Sequence, residues 1–118
     1  MPTLKYCLLL FIFFVGITKN VFSEIRIYFF DVGQGNCILL RNGENAILID
    51  AGGSKSFDTI KKSFRKCLAG IKISGIILTH QDKDHRNLIE AIEKAGYMKE
   101  GYFLFSITAK GRYLTSNR

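Results

Sequence analysis

Four side chains of the kinds that bind divalent metal ions lie within six consecutive residues of this chain. They are His80, Asp82, Asp84 and His85, and they directly follow the apolar run of residues 76–79. Bound metal ions activate water, so this spacing first predicts a metal-dependent hydrolase. The chain contains no other histidine. A site that requires a third imidazole therefore cannot be completed by this polypeptide alone.

The elements expected around these residues would bring them to one point. Residues 76–79 fit a short buried strand, and side chains two apart on an extended chain share a face, which predicts that His80 and Asp82 point the same way. Asp84 and His85 fall at the turn into a helix beginning near Arg86, where the first amides and the helix dipole favour negative charge. The alternative is an ordinary solvated helix cap in which Asp84 serves the helix amides.

Hydrophobic periodicity predicts the rest of the architecture. Ile25, Ile27 and Phe29 alternate with polar residues, which is the period of a strand with one buried face. Gly33 and Gly35 favour a hairpin turn, with a phosphate cradle as the alternative. The pattern as a whole predicts strands over residues 25–29, 37–40, 46–49, 76–79 and 103–107, with helices over 57–68 and 88–95. This order, three strands and then helix, strand, helix, strand, indicates an α/β layered fold.

The first 23 residues have the organisation of a secretory signal peptide. A single cation, Lys5, precedes an apolar run over residues 7–17, and compact residues suited to cleavage end at Ser23. The run has 11 residues, fewer than the roughly 20 that a membrane-spanning helix needs. We therefore expect a periplasmic or secreted protein. The alternatives are an uncleaved membrane anchor through residues 5–22 and a buried cytoplasmic segment.

The composition is basic, with a net charge of +7, or +5 once residues 1–23 are removed. This charge favours anionic partners such as nucleic acid, although solubility alone would also explain it. The cations of residues 61–66 are expected to form a solvated helix face. Cys7 would leave with the signal peptide, and Cys37 and Cys67 are expected to be separate buried thiols.

A family resemblance rests on three motifs in order. The loop from His80 to His85 resembles the metal-binding loop of the metallo-β-lactamase fold, His-x-His-x-Asp-His, with Asp82 in place of the second histidine. Together with residues 31–35, Asp-Val-Gly-Gln-Gly, and residues 47–53, Ile-Leu-Ile-Asp-Ala-Gly-Gly, it is similar to the C-terminal domain of ComEC-type DNA-uptake proteins. The resemblance covers about residues 25–95.

The resemblance implies a fold, a ligand set and a reaction. The fold would be the first half of an αββα sandwich over residues 24–118. His80 and Asp82 would bind one ion, Asp84 and His85 a second, with Asp84 also catalytic and Asp50 supporting the loop as an outer-shell residue or weak ligand. The ions would be zinc or manganese, with magnesium made plausible by the carboxylate of Asp82. The implied reaction is hydrolysis of a phosphodiester, such as nucleic acid.

The sequence also departs from that family. Asn36 stands where the subgroup usually has an acidic residue, and Arg86, Asn87 and Leu88 follow His85 where an apolar residue and two glycines are usual. The later half of the sandwich, which carries further ligands, is not represented. We therefore expect an N-terminal fragment or half of an assembly, with one apolar sheet face uncovered. The alternatives are an inactive fragment that binds metal weakly, or a small exported module whose basic helix binds an anionic polymer.

Overall fold

A computed structural model of the chain describes residues 2–16, 24–107 and 113–115. Within these ranges one mixed sheet contains β1 (Ile25–Phe29), β2 (Gly35–Asn42), β3 (Asn45–Gly53), β4 (Ile73–Leu78), β5 (Met98–Ser106) and β6 (Tyr113–Thr115). The helices are α1 (Pro2–Gly16), α2 (Lys61–Leu68), α3 (Lys83–Arg86) and α4 (Ile89–Lys94), with a 3-10 helix at Phe57–Thr59. The α/β fold predicted from the sequence is confirmed.

The strands lie side by side in the order in which they occur in the chain. β1, β2 and β3 form an antiparallel meander, whereas β3, β4 and β5 are parallel to one another, and β6 returns antiparallel to β5. Parallel neighbours need a crossover connection, and α2 supplies the first while α3 and α4 supply the second. This arrangement gathers the loops after β3 and β4 at one edge of the sheet.

One face of the sheet is covered by the helices and contains the core. Leu39 and Ile76 from the sheet are fully buried together with Phe64 of α2 and Ile92 of α4. Phe64 lies at the centre of an aromatic group whose ring centroids are 5.1–5.5 Å from its own. α2 ends at Leu68, as predicted, and the next residue, Ala69, adopts the left-handed conformation (φ 51°). The predicted amphipathic helix is therefore correct in its buried face and shorter at its start.

The opposite face of the sheet, called here the open face, is apolar and exposed. Its side chains are Ile25, Ile27, Phe29, Ile38, Leu40, Ile47, Ile49, Ile77, Phe103 and Phe105, which share a face through the strand register. The interpretation of Ile25, Ile27 and Phe29 as a buried face is wrong, because α2 and α4 pack on the other side and Phe29 remains 75 % exposed. The expected uncovered apolar face is present.

Helix α1 lies in the segment predicted to be a signal peptide. α1 contains residues 7–16 of the apolar run, with exposed side chains such as Leu8 and Phe11. No helix in the described ranges combines the length and apolar character that crossing a membrane requires. The predicted cleavage region at residues 21–23 lies outside the described residues.

Candidate metal centre

Asp50 occupies a bulge in β3. Ile49 pairs with Ile38 and Ala51 pairs with Cys37, so no residue of β2 stands opposite Asp50, whose φ is 56°. A bulge redirects a side chain, and aspartate is one of the few residues that tolerate left-handed backbone. β3 then continues to Gly53 and does not end at Asp50 as predicted. The bulge therefore aims a carboxylate out of the strand's regular alternation towards the loop after β4.

The Asp50 carboxylate is fully buried and is surrounded by donors. The Thr79 amide donates to Oδ1 at 2.8 Å, while the Thr79 hydroxyl and the Asn36 amide group, at 3.2 Å, donate to Oδ2. Burial by itself would raise the pKa of Asp50, but hydrogen bonds from Thr79 and Asn36, together with the nearby His85 imidazole, hold that pKa below its usual range. Asp50 is thus a charged acceptor held by β2 and by the end of β4.

His85 is the second member of this buried arrangement, the inner pair. Its Nδ1 lies 3.0 Å from Asp50 Oδ2 without a well-aligned hydrogen bond, and its side chain is 23 % exposed. Its Nε2 lies 3.8 Å from Asp84 Oδ2. Contact with the Asp50 carboxylate raises the pKa of His85, opposed by burial. The imidazole therefore turns one nitrogen inward to a fixed carboxylate and the other towards Asp84.

His80 and Asp82 form a second, exposed pair, the outer pair. His80 Nδ1 lies 3.2 Å from Asp82 Oδ2, with side chains 62 % and 72 % exposed. β4 ends at Leu78, so these residues meet in a loop rather than on the extended strand end predicted. The His80 and His85 ring centroids are 5.6 Å apart. The structure therefore brings the four predicted ligands together between the end of β4 and α3: His80 and Asp82 form the outer pair, and His85, beside Asp84, forms the inner pair with Asp50 of β3.

The Asp82 side chain does not cap α3. Asp82 occupies the N-cap position of α3, with extended backbone angles, yet its side chain makes no capping hydrogen bond. Such a bond is what usually favours aspartate at this position. The Asp82 carboxylate instead lies beside His80. The cap alternative named Asp84, which lies in the first turn of α3, and it stays a prediction.

Two glycines let α3 lie directly on the strands. A Cβ on Gly52 would lie 2.4 Å from the Asp84 carbonyl group and 2.5 Å from the Arg86 amide nitrogen. A Cβ on Gly35 would lie 2.6 Å from the Asp84 carbonyl oxygen. These distances are too short for any side chain. Gly35 thus permits both the hairpin turn and the close packing of α3. The close contacts at Gly35 and Gly52 explain why both glycine-containing motifs occur together with the metal loop.

Asn87 fixes the far side of the loop. Its Oδ1 accepts from the Gly53 amide and its Nδ2 donates to the Gly53 carbonyl, both at 2.8 Å. The Leu88 amide also donates to the Ala51 carbonyl at 2.9 Å. Asn87 thus pairs with the end of β3 as another strand would. The larger residues that depart from the family pattern after His85 include this anchor.

The donor atoms present fit a divalent ion chemically, because imidazole and carboxylate are ligands for zinc and manganese. The inner pair supports this fit, since a histidine that binds a metal usually has its other nitrogen against a carboxylate. Among the described residues, however, no three of the His, Cys, Asp or Glu side chains converge as a ready group of ligands. The side chains therefore have donor atoms suited to a divalent ion and lie in two pairs, but they do not form a complete coordination shell.

A cavity of about 520 Å³ adjoins the same loop. Lys83 and Arg86 line it on the loop side, Glu90 and Glu93 line it from α4, and Leu104 belongs to its apolar part. None of the four predicted ligands is among its lining residues. The cavity therefore lies behind the metal loop and is lined by both positively and negatively charged side chains.

Several residues that shape the site were not found from the sequence. Thr79 gives Asp50 two hydrogen bonds and Asn87 ties the loop to Gly53. A hydroxyl residue directly before His80 was the available signal for Thr79. Asn36, which stands where the resemblance has an acidic residue, donates to Asp50.

Comparison with known proteins gives one positive finding. The family model described as the metallo-beta-lactamase superfamily matches residues 30–103, a range that includes Asp50 and the whole loop from His80 to His85. The match is to the superfamily as a whole, so the ComEC-type subgroup stays a prediction. The chain matches no curated protein.

Proposed function

Because the chain belongs to the metallo-beta-lactamase superfamily, we propose that its loop binds divalent metal and hydrolyses a phosphodiester of the kind found in nucleic acid. The observation that carries this proposal is the inner pair, in which Asp50 lies 3.0 Å from His85 Nδ1 while Nε2 is turned towards Asp84 at 3.8 Å. A ring held in this way presents one nitrogen as a ligand in a fixed direction.

We assign the four loop residues distinct tasks. Asp84 and His85 hold one ion, with Asp84 beside the reacting water, and His80 and Asp82 hold a second. A bound ion supplies activated water at neutral pH. Asp50 is not a ligand in this proposal, because its carboxylate is enclosed by Thr79, Asn36 and His85; it orients the His85 ring. The ions are zinc or manganese, and ligands that complete their shells come from outside the four loop residues.

The proposed substrate class rests on charge as well as on the superfamily. Lys83 and Arg86 flank the loop and line the cavity behind it. Without residues 1–23 the chain keeps a net charge of +5, which attracts polyanions. Glu90 and Glu93 on the far side of the same cavity would keep an anion near the loop end. These features support a nucleic-acid or related phosphodiester and a ComEC-like role.

The test is hydrolysis of bis(p-nitrophenyl) phosphate with manganese or zinc. Asp84→Ala and His80→Ala are expected to lower turnover by about 100-fold or more, because each removes a ligand. Asp58→Ala, an exposed aspartate in the 3-10 helix, is the matched control and should keep full activity. A folded, metal-loaded chain without turnover would contradict the proposal.

A second candidate function is metal binding without turnover. It is favoured by the finding that no three donor side chains of the described residues converge. Titration calorimetry with zinc and manganese separates the two candidates. Weak binding of one ion, lost in His85→Ala and accompanied by no hydrolysis, supports the binding protein. Tight binding of two ions supports the hydrolase.

We also propose that residues 1–23 are a signal peptide and that the mature chain begins at Glu24 and acts outside the cytoplasm. The apolar side chains of α1 and the single cation Lys5 support this proposal. N-terminal sequencing of the protein from an exporting host tests it. A start at Glu24 is expected, whereas a membrane-bound chain that retains Lys5 would indicate an anchor.

A further inference from the structure

The outward side of α2, called here the basic face, is strongly cationic. Its long side chains are all exposed and positively charged, namely Lys61, Lys62, Arg65 and Lys66. The sequence contains no aspartate or glutamate over residues 59–81. Phe64 and Leu68 of the same helix are fully buried in the core. α2 therefore separates an apolar inner side from an outer side that carries a single sign of charge.

The charge of the basic face is not neutralised by neighbouring carboxylates. On other parts of the surface, Arg26, Lys55 and Lys94 each lie 2.6–2.9 Å from a carboxylate oxygen. Within the part of the chain that the structure describes, no cation of the basic face has such a contact, including with the nearby Asp58. The positive charge of this face therefore remains available to a partner.

The positions of these cations oppose the stability of α2. Lys61 with Arg65, and Lys62 with Lys66, are like-charge pairs four residues apart, which destabilise a helix. Lys61 and Lys62 also lie in the first turn, where the helix dipole favours acidic residues, and that turn contains none. A surface that serves solubility alone carries both signs of charge interspersed. The arrangement therefore indicates a face that binds an anionic partner.

We propose that the basic face binds the phosphate backbone of nucleic acid, irrespective of base sequence, at a surface separate from the metal loop. An eight-residue helix is about 12 Å long, and one strand of a duplex has a phosphate about every 3.4 Å, so about three to four phosphates lie along α2. Four cations match this number of charges. The proposal rests on the proposed function for the class of polymer, and it adds a second place at which that polymer is held.

The course of α2 relates the basic face to the metal loop. α2 connects β3 to the parallel β4, so it runs back across the sheet from the edge at which β3 ends. Its first turn therefore lies towards the edge that carries the metal loop. At its other end Arg41 adds a cation, because its guanidinium donates to the Cys67 carbonyl at 2.8 Å. A strand that lies along α2 therefore extends towards the edge where hydrolysis is proposed.

The surroundings of the basic face favour nucleic acid over a lipid surface. Amphipathic helices that bind membranes insert apolar side chains beside their cations. Over residues 57–72, however, every large apolar side chain is buried or half-buried. The open face lies on the opposite side of the sheet from α2, so a cover on the open face leaves the basic face accessible.

Fluorescence anisotropy of a labelled DNA duplex, with EDTA present to prevent metal-dependent cleavage, tests the proposal. Affinity should fall about 40- to 150-fold between about 50 and 200 mM salt, because three to four phosphate contacts release counterions. Lys62→Gln combined with Lys66→Gln should weaken binding at least about tenfold and lower the slope of log affinity against log salt by about 1.8. Lys94→Gln combined with Lys99→Gln removes the same charge from exposed positions elsewhere and should weaken binding less than about threefold.

Lys62→Glu separates a binding face from a merely solvated one. It replaces a like-charge pair with an attractive pair to Lys66, and it should lower the unfolding equilibrium constant in urea about twofold while weakening duplex binding. Absence of duplex binding, unchanged binding in the α2 variants, or equal losses in the α2 and control variants would each overturn the proposal. Binding to phosphatidylserine vesicles without binding to the duplex would also overturn it.

Hydrolysis of bis(p-nitrophenyl) phosphate distinguishes this proposal from the proposed function. The α2 substitutions leave the four loop residues in place, so hydrolysis of this small substrate should be unchanged in them. A chain that hydrolyses it but does not bind the duplex refutes the basic face alone. A chain that binds the duplex through α2 but hydrolyses nothing refutes the hydrolase alone.

Discussion

The inner and outer pairs of the candidate metal centre each combine an imidazole with a carboxylate, but in different surroundings. Asp50 and His85 are held by a bulge, by Thr79 and by Asn36, whereas His80 and Asp82 are more than half exposed and lie in a loop. The inner pair is therefore in place before any ligand arrives, and the outer pair depends on a ligand to fix it. The strands, and not the loop, therefore preorganise this site.

The largest effect is expected when the inner pair is broken. Asp50→Ala leaves the donors of Thr79 and Asn36 and the His85 ring without their acceptor, and should lower the free energy of unfolding by about 3 kcal/mol. Asp82→Ala removes the corresponding carboxylate of the outer pair and should change it by less than about 0.5 kcal/mol. Urea unfolding measures both. Similar losses in the two variants would show that the pairs are equivalent.

Gly52→Ala tests whether the close contact of α3 positions the inner pair. The new Cβ would lie 2.4 Å from the Asp84 carbonyl group, and we expect a loss of about 2 kcal/mol together with shifted His85 imidazole resonances. Gly70→Ala is the control, because its backbone is left-handed (φ 83°) but nothing lies within 4 Å of its Cβ. That variant should lose about 1 kcal/mol without moving the His85 resonances. Unchanged His85 resonances in Gly52→Ala would contradict the positioning argument.

A smaller loss is expected when the loop is released at its far end. Asn87→Ala removes both hydrogen bonds to Gly53 and should lower the free energy of unfolding by about 1–2 kcal/mol. Asn87→Asp keeps the acceptor for the Gly53 amide and should lose less than Asn87→Ala in the same urea titration. If Asn87→Ala is as stable as the parent chain, the anchor does not hold the loop.

The last prediction involves no change in stability. Cys37 is buried beside the inner pair, and burial, with a contribution from Asp50, raises the pKa of its thiol to about 12. Iodoacetamide should therefore modify Cys37 at least about 100-fold more slowly than the exposed Cys7 in the folded chain. Peptide mass mapping measures both rates. Rapid modification of Cys37 would mean that the region around the inner pair opens in solution.

Much of the fold was predictable because the spacing of the hydrophobic residues distinguishes strands from helices. Strands β1 to β5 and the amphipathic α2 follow from spacing, and the position of Asp50 near the loop follows from the family resemblance. The spacing does not reveal which side of a strand the helices cover. The apolar side of β1 is therefore predicted to be buried, although the structure exposes it. The bulge at Asp50 and the anchor at Asn87 arise from pairing between distant residues, which no local pattern records.

The order of the strands in the sheet has a kinetic consequence. Each strand pairs with its neighbours in the chain, so β1, β2 and β3 can form a meander once residue 53 is available, and every later strand adds to an existing edge. Such nearest-neighbour pairing keeps the entropy lost in closing each loop small. The segment from Thr79 to Asn87, in contrast, must return to Asp50 and Gly53 on a strand already paired. We therefore expect the metal loop to acquire its structure late in folding, after the sheet that positions it.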